Sequence, residues 1–409
     1  MPSSKRVDLA IVVAVAVIAN FAYLKFSNGD YYFPDSFTYL APARAMLHGA
    51  GFRDALGRPD TLRTPGYPLL LVLFGAHALP VLILQHLLNV ALAVAIYFFI
   101  ASRAASRLAA LTGALYFAVD PPTVHYANKL LTETLFTVLL YGLIVAALQR
   151  RNPMALGLLT GALVLVRPIA LFFFIPLATL MAIWHTKRGH LAAFVIAALV
   201  LPVGWATRNK IETGAFTVSP IGAFNLLQHR AAAALAVEDG GEDFKKDLAD
   251  EQQGLDDDVS SAIDVHAPPE QQAAYRSRLA MRIILQHPAG TIEMTVRGIF
   301  VNLFDSDWDA MADVSTISPE IVRWGVDALP PIVFLLACAG CIALWRIDRD
   351  AALLLIVTIV YFIVISSGSE AESRFRVPVI PQLAIAAAFG IDAIRRGLTS
   401  ISRSSSARA

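Results

Sequence analysis

RRNPMALGLLTGALVLVRPIALFFFIPLATLMAIWHTKR, residues 150–188, is the stretch whose reading decides how this chain is threaded. Between Asn152 and His185 the only charged residue is Arg167. Read as one helix, the stretch would put Arg150 and Arg151 on one face of a bilayer and Lys187 and Arg188 on the other. Basic residues collect on the cytoplasmic side, so clusters at both ends favour a hairpin instead. Arg167-Pro168 marks its apex, because proline ends or kinks a helix. The first arm, Pro153–Val166, would be about 20 Å long, short of a hydrocarbon core of roughly 30 Å. The apex is therefore expected within the outer half of the membrane, where an arginine must face a polar cavity or a partner.

The same logic extends outward over all 409 residues. The chain is 56% hydrophobic and 16% charged, with a mean hydropathy of +0.60. Ordinary soluble domains are roughly 45–50% apolar and about 25% charged. Apolar runs fall near 8–26, 81–101, 107–120, 130–148, 154–166, 169–184, 190–206, 328–345, 351–366 and 378–394. Lys5/Arg6, Arg103/Arg107, Arg150/Arg151, Lys187/Arg188, Arg346/Arg349 and Arg395/Arg396 sit at alternate ends of successive runs. One assignment puts every cluster inside: an all-α polytopic bundle of about ten membrane segments, both termini cytoplasmic. The first run, Leu9–Leu24, lacks a small-residue cleavage site and reads as a retained helix instead of a signal peptide.

This divides the chain into an amino-terminal membrane module (1–206), an outer region (207–327), a second membrane module (328–396) and a disordered cytoplasmic tail (397–409). Within the first module, the outer loop 27–80 is too long for a turn. Ser36 can cap an interfacial helix there, and Tyr67–Leu79 is apolar but too short to cross. In the outer region, Glu238–Glu270 is rich in acid, Gly and Gln and reads as mobile, whereas Gln271–His287 and Thr291–Phe304 read as helical.

Some functions are excluded early. A net charge of +1 without a basic domain argues against nucleic acid. No Gly-rich phosphate loop with its lysine appears, which argues against a nucleotide-driven pump. Cys338 and Cys341 share one apolar run and read as packing residues. Asp305, Asp307 and Asp309 offer oxygens to a hard cation, but so does any solvated acidic loop, so no metal or other cofactor is expected.

Asp35 follows Tyr31-Tyr32-Phe33-Pro34, close behind the first apolar run. A carboxylate in aromatic company at a membrane surface suits a general base toward a hydroxyl attacking beside a lipid head group. It equally suits an N-cap for the helix beginning near Ser36.

A resemblance weighs on that choice. Asp35-Ser-Phe-Thr-Tyr39-Leu-Ala-Pro-Ala and Arg63-Thr-Pro-Gly-Tyr67-Pro68 resemble the opening of glycosyltransferase family 39-type enzymes. That group includes protein O-mannosyltransferases and the lipid A aminoarabinose transferase, with the GT-C membrane fold. Leu131-Thr-Glu133, Leu165-Val-Arg167-Pro168, Arg208-Asn209 with Gly214-Ala-Phe, and Glu372-Ser-Arg374-Phe-Arg376-Val-Pro378 follow in the same order. Residues 230–325 match nothing in the pattern.

The resemblance implies an inverting transfer of a sugar from a polyprenyl-phosphate donor to a lipid, glycan or protein acceptor. Asp35 would be the general base and Glu133 a second catalytic carboxylate. Read without it, Glu133 is as well explained by pairing with Lys129, one turn earlier. A phosphate leaving group needs fixed cations, and arginine binds phosphate with a planar fork. Arg63, Arg167, Arg374 and Arg376 are the candidates, outer-face arginines that run against the positive-inside bias. Arg208 reads as structural, with Asn209. Tyr67 and His125 complete the expected substrate-binding set. Compact size and simple loops look like those of a bacterial inner-membrane protein, and the basic clusters put the site on the periplasmic side. The rival reading is a transporter or lipid flippase, but acidic residues avoid the segment interiors and polarity gathers at one face.

Overall fold

The computed structural model describes residues 3–406 apart from 28, 104, 242, 265, 266, 268, 307 and 309–319. Among the described residues the fold is all-helical. The first module comprises α1 (Ser3–Phe26), α2 (Pro34–Leu47), α3 (Gly66–Leu73), α4 (Ala78–Ala101), α5 (Arg107–Val119), α6 (Pro121–Ala127) and α7 (Glu133–Leu148). It continues with α8 (Pro153–Val166), α9 (Phe174–Ile183) and α10 (Arg188–Thr213). The outer region contributes α11 (Ile221–Asn225), α12 (Ala232–Asp239), α13 (Phe244–Ala262), α14 (Pro269–Gln286) and α15 (Pro288–Phe304). The chain ends with α16 (Glu320–Ile347), α17 (Arg349–Ile365) and α18 (Ile380–Ser406).

Five of the described helices are long and apolar enough to cross a bilayer by length and composition. The helices α5, α7 and α8 are apolar but shorter. The protein is an integral membrane protein on this composition. The sequence-based number of about ten crossings therefore includes several short arms.

The hairpin at 150–188 is visible in the packing of its neighbours. Helix α8 stops at Arg167, which leaves helical dihedrals (φ −140°, ψ 118°), and a single 3-10 turn, Pro168–Ala170, follows. A Cβ on Gly157 would lie 2.4 Å from the Phe194 carbonyl, and one on Gly161 would lie 2.9 Å from that of Ala198. Both contact points advance together, so α8 and α10 run parallel, and the chain between them must return to the end where it started.

That end gathers the basic clusters. Arg107 binds Asp8 at 2.6 Å, Arg103 binds Asp348 at 3.0 Å, and Arg150 binds Asp350 at 2.6 Å. Arg150 also covers the Trp184 ring at 4.1 Å, just before Lys187. Asp392 accepts from the Ser106 amide at 3.2 Å and pairs with Arg396 at 2.7 Å. Arg103, Arg107, Arg150 and Arg396 are thereby tied into one end of the bundle, with Lys5/Arg6, Lys187/Arg188 and Arg346/Arg349 a few residues along the chain from these contacts.

The carboxy-terminal helices close the core. Gly340 on α16 and Gly390 on α18 let two backbones touch: an added Cβ would sit 1.7 Å from the Ala386 carbonyl and 2.1 Å from that of Leu336, respectively. Small residues allow such approach where lipid offers no hydrophobic drive to association. Gly340→Ala is expected to destabilise the protein by about 1–3 kcal/mol through overpacking. A thermal melt in detergent checks this, and an unchanged midpoint would contradict the close approach.

Two stretches expected to be mobile or disordered contain helix. Within 238–270, α13 occupies 244–262. Leu255 and Val259 are buried in a small cluster with Leu227 and Ile283, and Leu248 packs against it. Their 3.6-residue spacing was masked by the acidic residues on the other face. The last helix continues to Ser406, into the stretch expected to be a disordered tail, which has neither Pro nor Gly after Gly397 to stop it.

Candidate functional site

At the end opposite the basic clusters, residues from five separate stretches converge on two carboxylates. Helix α2 begins at Pro34, a residue earlier than Asp35, with Phe33 as its N-cap. Ser36 supports that start: its Oγ accepts from the Phe33 amide at 2.9 Å. Asp35 is therefore in the first turn and not the cap, which leaves its carboxylate free for other partners.

Those partners are arginines. Arg63 Nη2 donates to Asp35 Oδ1 at 2.7 Å, and Arg374 Nη2 lies 3.0 Å from Oδ2. Arg374 Nε also donates to Glu133 Oε1, and Arg167 Nη1 donates to that same oxygen at 2.8 Å. Glu372 stands 3.8 Å from Arg374 Nη1. Three guanidinium groups thus interlock with two carboxylates. The Glu133 side chain is fully buried, that of Arg374 is 7% exposed, and that of Asp35 is 32% exposed. Asp35 is the carboxylate of the pair that reaches solvent.

Each arginine is held by more than charge. Arg63 Nε donates to Thr38 Oγ1 at 2.8 Å and Nη1 to the Tyr39 hydroxyl at 3.2 Å, with its guanidinium 4.5 Å above the Tyr39 ring. Arg374 covers the Phe33 ring at 4.9 Å, and Arg167 lies 5.8 Å from that of Phe375. Cation–π contact adds to ion pairing where water is scarce. Burial on its own would raise the Asp35 carboxyl, but Arg374 and Arg63 outweigh it and hold it below the usual carboxylate range.

The backbone approach that unites the motifs is at Gly66. A Cβ there would stand 2.6 Å from the Leu165 carbonyl, so the Arg63–Pro68 turn packs directly on the end of α8 beside Arg167. Glycine permits that contact.

The other sequence candidates are placed differently. Tyr67 is buried; its hydroxyl donates to Gln85 Oε1 at 2.7 Å, and its ring meets Tyr39 edge-on at 5.3 Å. It supports the site from behind. His125 is buried on α6, its Nδ1 2.7 Å from the Tyr23 hydroxyl, beside and not within the carboxylate–arginine network. Burial, then the Lys129 charge, pushes its pKa down to about 4, so it is neutral at ordinary pH. Glu133 does not pair with Lys129, which instead pairs with Asp30. Arg208 holds Asn209 at 3.0 Å and also donates to the carbonyls of Asp60 and Phe52, at 2.7 and 2.8 Å.

Arg376 is nearly fully buried and gives its guanidinium to backbone: Nη1 to the carbonyls of Asn302 (3.1 Å) and Leu303 (2.8 Å), Nη2 to that of Asp305 (2.9 Å). It closes the end of α15, where carbonyls have no helical partner. Replacing it by Met is expected to lower the melting midpoint, at about 1.5–3 kcal/mol for each charged hydrogen bond lost. A variant melting like the wild type would rule this out. Asp307 and Asp309 of the acidic run lie outside the described residues, and among those described no group of three or more His, Cys, Asp or Glu could hold a metal ion.

Sequence reasoning passed over Thr38 and Gln85, and gave Phe33 no contact of its own. Thr38 lies three residues after Asp35, one helical turn away, a spacing that would have flagged it. Gln85 is an isolated amide in an apolar helix, also a readable signal.

No protein-family profile and no curated protein matches this sequence. Among solved structures, the fold is similar to that of the archaeal oligosaccharyltransferase AglB from Archaeoglobus fulgidus, solved in complex with an inhibitory peptide and a dolichol-phosphate. The TM-score is 0.50 at 13% identity, over 99% of this chain and 52% of that one. The chain thus spans about half the length of that enzyme. The class that fold and site define is an all-helical integral membrane protein with the architecture of that enzyme. At this identity the likeness is one of architecture.

Proposed function

We propose that this chain is a membrane glycosyltransferase that moves a sugar from a polyprenyl-phosphate donor to an acceptor hydroxyl, with inversion at the anomeric carbon. The observation that carries the reading is the partly exposed Asp35 carboxylate, clamped between Arg63 and Arg374 at the end of the bundle away from the basic clusters. The fold neighbour's bound dolichol-phosphate supports the donor class.

In the proposed step the acceptor oxygen attacks the anomeric carbon and its proton passes to the Asp35 carboxylate. The bond from that carbon to the phosphate oxygen breaks, and the electron pair leaves with the phosphate. Negative charge growing there is met by Arg374 and Arg167, which fixed ion pairs hold in place before the reaction. Arg376, committed to carbonyls, is left out of that role. Glu133 orients both arginines, and its Oε2 has no hydrogen-bond partner among the described residues. We place the site on the periplasmic side of a bacterial inner membrane, following the basic clusters.

The test uses purified protein in proteoliposomes with labelled polyprenyl-phosphate sugars and cell-envelope extracts as acceptors. Acceptor-dependent release of polyprenyl phosphate with a glycosylated product is expected. Movement of labelled lipid or solute across the bilayer with no covalent product would replace the proposal with transport.

A further inference from the structure

A cavity of about 750 Å³ opens beside the carboxylate–arginine network, between α2, the 54–62 loop and the end of α10. Small-molecule sites span roughly 300–1,000 Å³. Its lining includes Phe37, Thr38, Asp54, Asp60, Leu62 and Thr213. Thr38 belongs to both places. It lines the cavity, and its Oγ1 donates to the Asp35 carbonyl at 2.6 Å while accepting from Arg63.

The walls are cross-linked. Arg208 ties Phe52 and Asp60 to α10, and Ser219 Oγ donates to the Leu62 carbonyl at 2.7 Å. Arg53 donates to the carbonyls of Ala50 and Gly57, at 2.8 and 3.2 Å. Asp54 Oδ1 accepts from the amides of Leu56 and Arg58, both at 2.9 Å. A loop restrained at so many points loses little entropy when it binds.

Its chemistry narrows the occupant. Phe37 is 60% exposed, and Tyr32 stacks on it at 5.5 Å with 16° between the rings. Aromatic faces stand beside threonine hydroxyls and the carboxylates of Asp54 and Asp60. An acyl chain would cover the Asp54–Arg58 ion pair without replacing the water on it. Arg58 lines the cavity too, but its guanidinium is committed to Asp54 at 2.8 Å, which leaves a phosphate facing a neutralised pair and the Asp60 carboxylate. A sugar ring has a C–H face for Phe37, which Tyr32 backs, and a rim of hydroxyls for the polar wall.

We propose that this cavity is the acceptor subsite and that it takes the neutral carbohydrate end of a glycan or glycolipid. The proposal rests on Asp35 being the transfer centre and adds the acceptor's chemical class. The test is saturation-transfer NMR on the full chain in nanodiscs, with no donor present. The probes are methyl glycosides of glucose, mannose, galactose and N-acetylglucosamine, with octanol as the acyl control. At least one glycoside, and not octanol, should bind the wild type. Phe37→Ala, at an exposed position, should weaken it about tenfold. Thr213→Trp, which fills the cavity, should remove it, and Asp35→Asn should retain it. Binding of octanol alone, of no glycoside, or binding untouched by both cavity variants would overturn the assignment. Because no donor is present, the two readings fail separately. A protein that forms product but binds no glycoside defeats the subsite alone, whereas cavity binding without product defeats the transfer reading.

Discussion

Asp35→Asn should slow sugar transfer by roughly 10²–10⁴-fold, the span usual for loss of a positioned general base. The amide keeps the shape of the carboxylate but has no charge and cannot accept the acceptor's proton at neutral pH. Donor binding should survive, because the buried Arg374 and Arg167 remain paired with Glu133. Product formation and binding of labelled donor are measured on the same preparation. Undiminished transfer by the variant would remove Asp35 from the chemistry. The pH profile gives a second handle. Burial raises the Asp35 carboxyl, but Arg374 and Arg63 overcome it and set it below the ordinary range. The active form is the ionised one, so activity should hold as pH falls from neutral and decline only on passing that lowered value. In Arg63→Gln one of the lowering charges is gone, so the acid limb should move to higher pH. A limb that stays in place or moves lower would contradict the electrostatic account.

Arg374→Met is expected to be the most damaging single change to the fold as well as to turnover. It is the residue shared by both carboxylates, and its side chain is 7% exposed. Removing one partner from a buried ionic group leaves uncompensated charge and costs about 3–5 kcal/mol. Glu133, fully buried, would then depend on Arg167 alone. Yield and melting midpoint should fall together. Arg374→Lys should recover little, because one ammonium cannot reproduce a fork that reaches Glu133, Asp35 and the Phe33 ring at once. Glu133→Gln combined with Arg374→Met should cost less than the two single changes added, since the stranded charge is gone. Wild-type stability in Arg374→Met would show that the network is not a structural unit.

Much of this arrangement is legible in the sequence, for a definite reason. Hydrophobic runs, proline breaks and basic flanks act over one to three turns, so the helices, the break at Arg167 and the basic end follow from local pattern. Asp35, Glu133, Arg63, Arg167 and Arg374 stand out because charge is rare beside apolar runs. Their pairing is another matter. Arg374 meets Glu133 across 241 positions, and Arg63 meets Asp35 across 28. Nothing local distinguishes Arg374, which joins the carboxylates, from Arg376, two residues on, which caps a helix end. Lys129 likewise sits one turn from Glu133 yet pairs with Asp30. Helix α13 shows the same limit: its few apolar residues find a partner surface only once α14 and the 226–231 turn are in place. Local pattern determines most of the helical segments and which end is basic, because those depend on neighbours along the chain. The tertiary structure decides which charge meets which, because an ion pair depends on distance through space, to which sequence spacing is blind beyond a few turns.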